Sequence, residues 1–311
     1  MAKQKPGSNL GKIKLSRHLK KEWQIYSLLL IPILYFIIFK YVPMLGNVIA
    51  FRKYNGGANI FGDKWVGFRY FRQFMKDQSF WRAFGNTLFL SVSYLAVRFP
   101  LTLIFALLLN EIRNVKWKKF VQTVSYLPHF ISMVIIAGMI KEVVSLSGPI
   151  NSLISSLGWN KVSFIQEAVW FPPIYIVSGI WQALGWGTII YLAAMTGINT
   201  ELYEAAKVDG ANRFKQAIHV TIPGILPTIV TLLILDIGGI MGSNFEKIIL
   251  LYLPSTYATS DVIATLVYRM GITGGNFSYA TAVGLFEGII GLILVTTANF
   301  LSRRVTESSL W

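Results

Sequence analysis

The 311-residue chain contains no cysteine, which excludes disulfides, thiolate-ligated zinc and a cysteine nucleophile. Charge is also scarce: Asp, Glu, Lys and Arg make up 14% of the residues, against roughly 25% in an ordinary soluble domain. Carboxylates are the rarer sign, 14 against 29 Lys and Arg, and there are 3 histidines. His129 stands beside Pro128 with no second His or carboxylate at metal-ligand spacing, so it reads as structural. No Ser-His-Asp set or paired carboxylates stand out, and catalysis has no candidate residues. What is abundant is apolar: 54% of the chain is hydrophobic and the mean hydropathy is +0.54. These residues come in blocks of about twenty, the length that crosses a bilayer as helix. A soluble enzyme and a disordered chain are both excluded, which leaves an all-α integral membrane protein.

Six blocks are expected to span, at about 24–45, 84–109, 120–140, 171–195, 222–242 and 279–301. The first is read as a retained span rather than a removed signal, because no small-residue cleavage site follows it. A net charge of +15 would suit nucleic acid, but its placement argues otherwise. Residues 1–22 carry +6, residues 50–82 carry +5 and residues 110–119 carry +3, all flanking apolar blocks. That is the pattern of a protein whose basic residues meet lipid headgroups and set insertion polarity. The basic segment 1–23 therefore places the N-terminus in the cytoplasm, and an even number of spans puts the tail 302–311 there too. The connections 110–119 and 196–219 are then cytoplasmic, and 50–82, 141–170 and 243–278 external. The basic loop 50–82 dissents from the charge rule; its WVGFRYFRQFMKDQSFWRAF stretch has the look of an amphipathic helix with aromatics on one side. One membrane domain, 24–301, is the simplest organisation.

Between the fourth and fifth blocks runs GINTELYEAAKVDGANRFKQAIHVTIPGILP. Asn199 or Thr200 caps a helix whose first turn holds Glu201 and Glu204, matching the positive end of the helix dipole. Ala205 and Ala206 offer a flat face for close approach, and Gly210 permits a sharp turn. A second short helix is expected over Arg213 to His219, with Pro223 and Pro227 marking re-entry into the membrane. The result is a bent, charged, ordered element about 196–223.

At these residues the chain resembles a known family. Glu204-Ala205-Ala206, three residues, Gly210, nine residues and Val220-x-Ile222-Pro223 are similar to the EAA signature of permease subunits in binding-protein-dependent ABC importers. Val replaces the signature's Ile, and Ile its Leu. PMLGNVIAFRKYN, SYLPHFISMVI, IWQALGWGTIIYLAAMTGI and the ending SRRVTESSLW extend the resemblance to carbohydrate-importer permeases, and within them to the LplB-like subunits of polysaccharide or complex-oligosaccharide uptake. The resemblance implies a MetI-like fold of six transmembrane helices in a bacterial plasma membrane. It also implies a second homologous permease subunit, two cytoplasmic ATPase subunits and an extracytoplasmic sugar-binding lipoprotein. ATP and Mg would be bound by the partner ATPase, with no cofactor in this chain. Glu204, Ala205, Ala206, Asp209 and Gly210 would couple to that ATPase. GANIFGDK at 57–64 evokes a phosphate loop, but Asp63 stands where that pattern needs Lys.

Arg98, Asp236 and Glu287 are the ionisable residues inside the apolar blocks. Charges at that depth face a partner or a water-filled cavity, so pairing between helices and lining of a sugar pathway both stay open. Trp181, Trp186 and Tyr191 are candidate stacking surfaces for sugar rings, with Trp181, Gln182 and Trp186 on one stripe of a helix broken by Gly185 and Gly187. Lipid-facing or interfacial anchoring is the alternative for the tryptophans. Gly284 and Gly288 have the spacing of a close helix contact. On the residues alone two other classes compete: an ion-coupled secondary transporter using Arg98, Asp236 and Glu287, and a membrane enzyme acting on lipid-linked sugars.

Overall fold

A computed structural model of the chain describes residues 22–306 other than 55, 58, 60 and 243. Most of the basic N-terminal segment and the last residues of the tail, 307–311, lie outside the described residues. Among the described residues four helices are long and apolar enough to cross a membrane singly, and taking each of two bent pairs as one span brings the number to six.

Helix α1 (Trp23–Phe36) loosens into a π turn at Ile37–Tyr41 and tightens to 3-10 turns over Leu45–Phe51. The span thus runs Tyr26–Phe51, and its most apolar stretch is 0% buried within the chain. A short antiparallel pair follows, β1 (Arg52–Lys53) and β2 (Lys64–Trp65), with Arg52 opposite Trp65. The amphipathic helix expected in this loop is shorter than its pattern: α2 is Arg69–Met75, with Tyr70 and Phe74 buried. Phe74 lies 4.6 Å from the ring of Phe80 and 5.6 Å from that of Phe286, which is why this face turns inward.

Helix α3 (Gln78–Glu111) has 34 residues, about 51 Å at 1.5 Å per residue and so longer than a bilayer's apolar core. Asp77 caps it by accepting from the Ser79 amide at 2.8 Å, and its other oxygen accepts from the Tyr279 hydroxyl at 2.9 Å. The block expected to span at 120–140 consists of two helices, α4 (Val115–Tyr126) and α5 (Met133–Val143), bent by 100°. Pro128 sits in the 3-10 turn between them. Ile131 and Ser132 are extended, and Ser132 starts α5 by accepting from the Ile135 amide.

Helix α6 (Pro149–Ser156) precedes α7 (Phe171–Met195), which occupies the expected fourth block. The break expected at Gly185 and Gly187 is absent, and α7 is continuous there. A Cβ on Gly185 would stand 2.2 Å from the Ser125 carbonyl oxygen, so this glycine brings α7 against α4 instead of interrupting it. Helices α8 (Thr200–Val208) and α9 (Arg213–Gln216) form the bent loop element. A π turn at Ala217–Thr221 and a helical turn at Ile222–Gly224 lead on to α10 (Leu226–Gly238), bent by 66° from what precedes it. Pro227 has no N–H to give the Pro223 carbonyl, which accounts for the bend in the fifth span.

Beyond it lie α11 (Phe245–Leu251) and α12 (Ile263–Val267), then α13 (Phe277–Thr306), the sixth span. Asp261 is wholly buried and accepts from Arg269 at 3.0 and 2.6 Å, holding this connection in one shape. Ser278 accepts from the Tyr54 amide at 3.1 Å and donates to the Arg52 carbonyl at 2.8 Å. The connections 50–82 and 243–278 therefore form one surface at the same end of the bundle.

Candidate functional site

Two arrangements stand out. The first is the 196–223 element. Asn199 caps α8, accepting from the Glu201 amide at 3.0 Å, and Asn212 caps α9, accepting from the Lys215 amide at 2.9 Å. Between them Gly210 has φ +76°, a left-handed conformation that costs other residues energy. A Cβ there would meet nothing within 4 Å, so the requirement for glycine is conformational. Glu204, Ala205, Asp209 and Gly210 are exposed and Ala206 is half-buried. Leu202, Val208 and Phe214 are also exposed, at 54%, 89% and 73%. Three large apolar side chains are thus held outward on a polar loop whose two helices are both capped. The loop is tied to the bundle twice: Arg213 pairs with Glu111 at the end of α3, and Tyr203 shares a hydrogen bond of 3.0 Å with Thr221.

The second arrangement is a pair of cavities inside the bundle. One, of about 230 Å³, is lined by Ser91, Tyr94, Arg98, Tyr175, Asp236 and Asn244 among others. Arg98 pairs with Asp236 at 2.5 Å, and its guanidinium carbon stands 5.4 Å from the centre of the Tyr94 ring. Its Nε is buried without a hydrogen-bond partner among the described residues. Arg98 and Asp236 both pair across helices and line the cavity.

The other cavity, of about 270 Å³, shares Tyr94, Tyr175 and Asn244 and adds His129, Gln182 and Lys247. Lys247, on α11, is 2% exposed, and its Nζ donates to the Tyr175 carbonyl at 3.1 Å. Burial pushes its pKa down to about 7. His129 lies flat on Trp186, ring centres 4.4 Å apart. Trp181 lines a separate apolar cavity with Met139, Phe164 and Trp170. Trp181 and Gln182 thus open to different spaces. Tyr191 is 2% exposed and packs with Ala106, Met195 and Ile225. Glu287 is half-buried on α13 and takes no part in the Arg98–Asp236 pair. Gly284 and Gly288 line an open groove with nothing within 4 Å of where their Cβ atoms would be. Lys247 went unnoticed in the sequence because it lies in a connection whose charges nearly cancel. The signal was present, a single lysine entering the apolar run IILLYL.

A bundle of straight and broken spans, a rigid bent loop with an outward apolar face and polar cavities between helices define the membrane subunit of a transporter. Residues 87–307 match the model of the binding-protein-dependent transport system inner membrane component, and the chain belongs to that family. It is 42% identical to Protein LplB of Bacillus subtilis (strain 168) over 94% of this chain and 92% of that one. It is 43% identical to the polygalacturonan/rhamnogalacturonan transport system permease protein YteP of the same organism, over 92% and 90%. A crystal structure of a bacterial alginate ABC transporter, in complex with an alginate pentasaccharide-bound periplasmic protein, contains a chain 42% identical to this one. The two superpose with a TM-score of 0.87 over 94% of this chain and 99% of that one. The chain is thus a permease subunit of an ABC transporter, an integral membrane protein whose ATPase is a separate partner.

Proposed function

We propose that the chain moves an oligosaccharide or polysaccharide fragment into the cell by alternating access, driven by a separate ATPase that docks on the 196–223 element. The observation that carries this reading is the geometry of that element: two capped helices joined at a left-handed glycine, with Glu204 and three large apolar side chains facing outward. When two ATPase subunits close on ATP and Mg, the bent element moves with them. Its ties to α3 and to the π turn at Ala217–Thr221 carry the motion into the spans, and hydrolysis resets them.

A polymeric sugar as cargo is supported by the relatives, which are permeases or transporters of polygalacturonan, rhamnogalacturonan and alginate. A second homologous permease completes the pathway, and the fully outward-facing apolar surface of α1 supports such a neighbour. The surface built jointly by 50–82 and 243–278 receives a sugar-binding lipoprotein on the outer side, with both termini in the cytoplasm. Arg98, Asp236 and Trp186 line or flank the cargo's route. The ion-coupled alternative needs Glu287 beside Arg98 and Asp236, and only the latter two meet.

The test is ATP-driven uptake by the reconstituted transporter carrying Glu204→Ala. Loss of ATPase association, or hydrolysis without uptake, is expected. Normal uptake with normal association removes the 196–223 element from the mechanism.

A further inference from the structure

A lysine taken out of water keeps its charge only if something nearby compensates it. Lys247 is 2% exposed and has three N–H donors, of which the structure places one, on the Tyr175 carbonyl oxygen. The Tyr175 ring adds a cation–π contact at 5.2 Å. The ion pairs Arg98–Asp236, Arg213–Glu111 and Arg269–Asp261 do not reach Lys247. The neighbouring cavity holds one more cation, Arg98, already matched to Asp236. Two cations and one carboxylate therefore line adjoining spaces, one anion short of balance.

The surroundings of Lys247 are built for closeness. Gly179 leaves the face of α7 bare, where a Cβ would come within 3.3 Å of the Lys247 Nζ and 2.8 Å of the Tyr94 ring. The Tyr94 hydroxyl donates to the Gly179 carbonyl at 3.3 Å. Around the ammonium the cavity presents groups that suit a sugar acid. Gln182 and Asn244 offer amides for hydroxyls, and the His129–Trp186 stack lies at its rim.

We propose that Lys247, with Gln182, Asn244 and His129, forms a subsite for a carboxylate of the cargo, and that the cargo is a uronate-bearing oligosaccharide. The proposal rests on the permease reading above and names the substrate class of its pathway. The missing anion arrives with the cargo: a carboxylate entering the 270 Å³ cavity takes the free N–H donors of Lys247 and restores charge balance to the pair of cavities. A neutral glycan offers no such gain. The lowered pKa of Lys247, about 7, fits the same picture, because an empty site holds the lysine at the edge of losing its proton.

The experiment measures equilibrium binding of trigalacturonate, and of the same trimer with its carboxyls reduced to alcohols, to the purified permease–ATPase complex without the binding protein. The wild-type complex is expected to prefer the acidic trimer at least tenfold. Lys247→Met should abolish that preference without raising affinity for the reduced trimer, and Lys247→Arg should keep most of it. If Lys247→Met fails to assemble with the ATPases, the wild-type preference alone decides. Equal binding of the two trimers by the wild-type complex, or an unchanged preference in an assembled Lys247→Met, overturns the subsite. ATP-driven uptake of any neutral oligosaccharide in those cases leaves the permease reading standing. Uptake that needs no ATP sinks the permease reading instead.

Discussion

The Tyr203 hydroxyl on α8 and the Thr221 hydroxyl at the end of the π turn are 3.0 Å apart, across 18 residues of chain. This bond closes the bent loop on itself, and Thr221 is 3% exposed. One end of the loop is thereby fixed to the start of the fifth span, and Arg213 fixes the middle to Glu111 on α3. The element that carries Glu204 and Phe214 thus contacts two spans, through bonds that can be removed one at a time.

Tyr203→Phe removes the hydroxyl and leaves the ring. A part-buried neutral hydrogen bond is worth about 1 kcal/mol, and that shift corresponds to roughly fivefold in an equilibrium. Cargo moved per ATP hydrolysed should fall by about that factor while the ATPases stay attached. Thr221→Val should cost at least as much, since the Thr221 hydroxyl also donates to the Gln216 carbonyl at 3.4 Å, and the double variant should cost no more than Thr221→Val alone, since the bond between the two hydroxyls is already lost there. Additive losses in paired uptake and hydrolysis assays would mean the two residues act separately.

Gly210 carries the second prediction. Its φ of +76° costs a residue with a Cβ about 1–2 kcal/mol, and no neighbour would clash with the added methyl. Gly210→Ala should therefore weaken ATPase association roughly 5- to 30-fold. Gly210→Asn should be milder, because Asn tolerates this conformation. Titration of detergent-solubilised permease with the ATPase reads both, and a larger penalty for Asn than for Ala would contradict the conformational argument.

The Arg98–Asp236 pair is only partly withdrawn from water, with side chains 18% and 30% exposed. Arg98→Met strands a carboxylate and should cost about 2–3 kcal/mol, less than the ~3–5 kcal/mol of a fully buried pair. Arg98→Met with Asp236→Leu removes both charges and should regain most of that loss. Denaturation of the purified complex measures the order: single variant least stable, double variant near wild type. Uptake should stay low in the double variant even so, because the polar lining is gone; full uptake would make the pair purely structural.

How much of this was legible in the sequence depends on the range of the interaction. The 196–223 element is local, since its caps, bend and prolines act on neighbours in the chain, and their spacing exposes it. Span lengths follow from apolar runs in the same way, and 171–195 coincides with α7. The 100° bend within 120–140 was not legible, because Pro128 is visible but the capping of α5 by Ser132 depends on how that segment packs. The site was legible in part. Arg98 and Asp236 announce themselves as charges in apolar blocks, but their pairing joins α3 to α10. Lys247 needed the fold, since only the packing of α11 against α5 and α7 reveals that a lysine in a connecting segment is buried. The outward Leu202, Val208 and Phe214 needed it for the opposite reason: apolar residues are assumed to face inward until a structure shows otherwise.

Lys247 yields two pH dependences of opposite sign. Its pKa in the folded protein is about 7, below the ~10.4 of a free lysine. Between these values the unfolded chain binds the extra proton and the folded one does not, so folding stability rises with pH over that interval and levels off below about 7. The empty complex should therefore resist denaturation better at pH 9 than at pH 7, and Lys247→Met should flatten that dependence. Binding of trigalacturonate should run the other way, because the anion needs the protonated ammonium: affinity should fall as pH rises above 7, by at most about tenfold per unit. The titratable and charged groups facing Lys247 are Tyr94 on α3, Tyr175 on α7 and His129 in the turn before α5, with Arg98 and Asp236 across the adjoining cavity. If the two slopes have the same sign, or persist in Lys247→Met, the lysine is not the group that titrates.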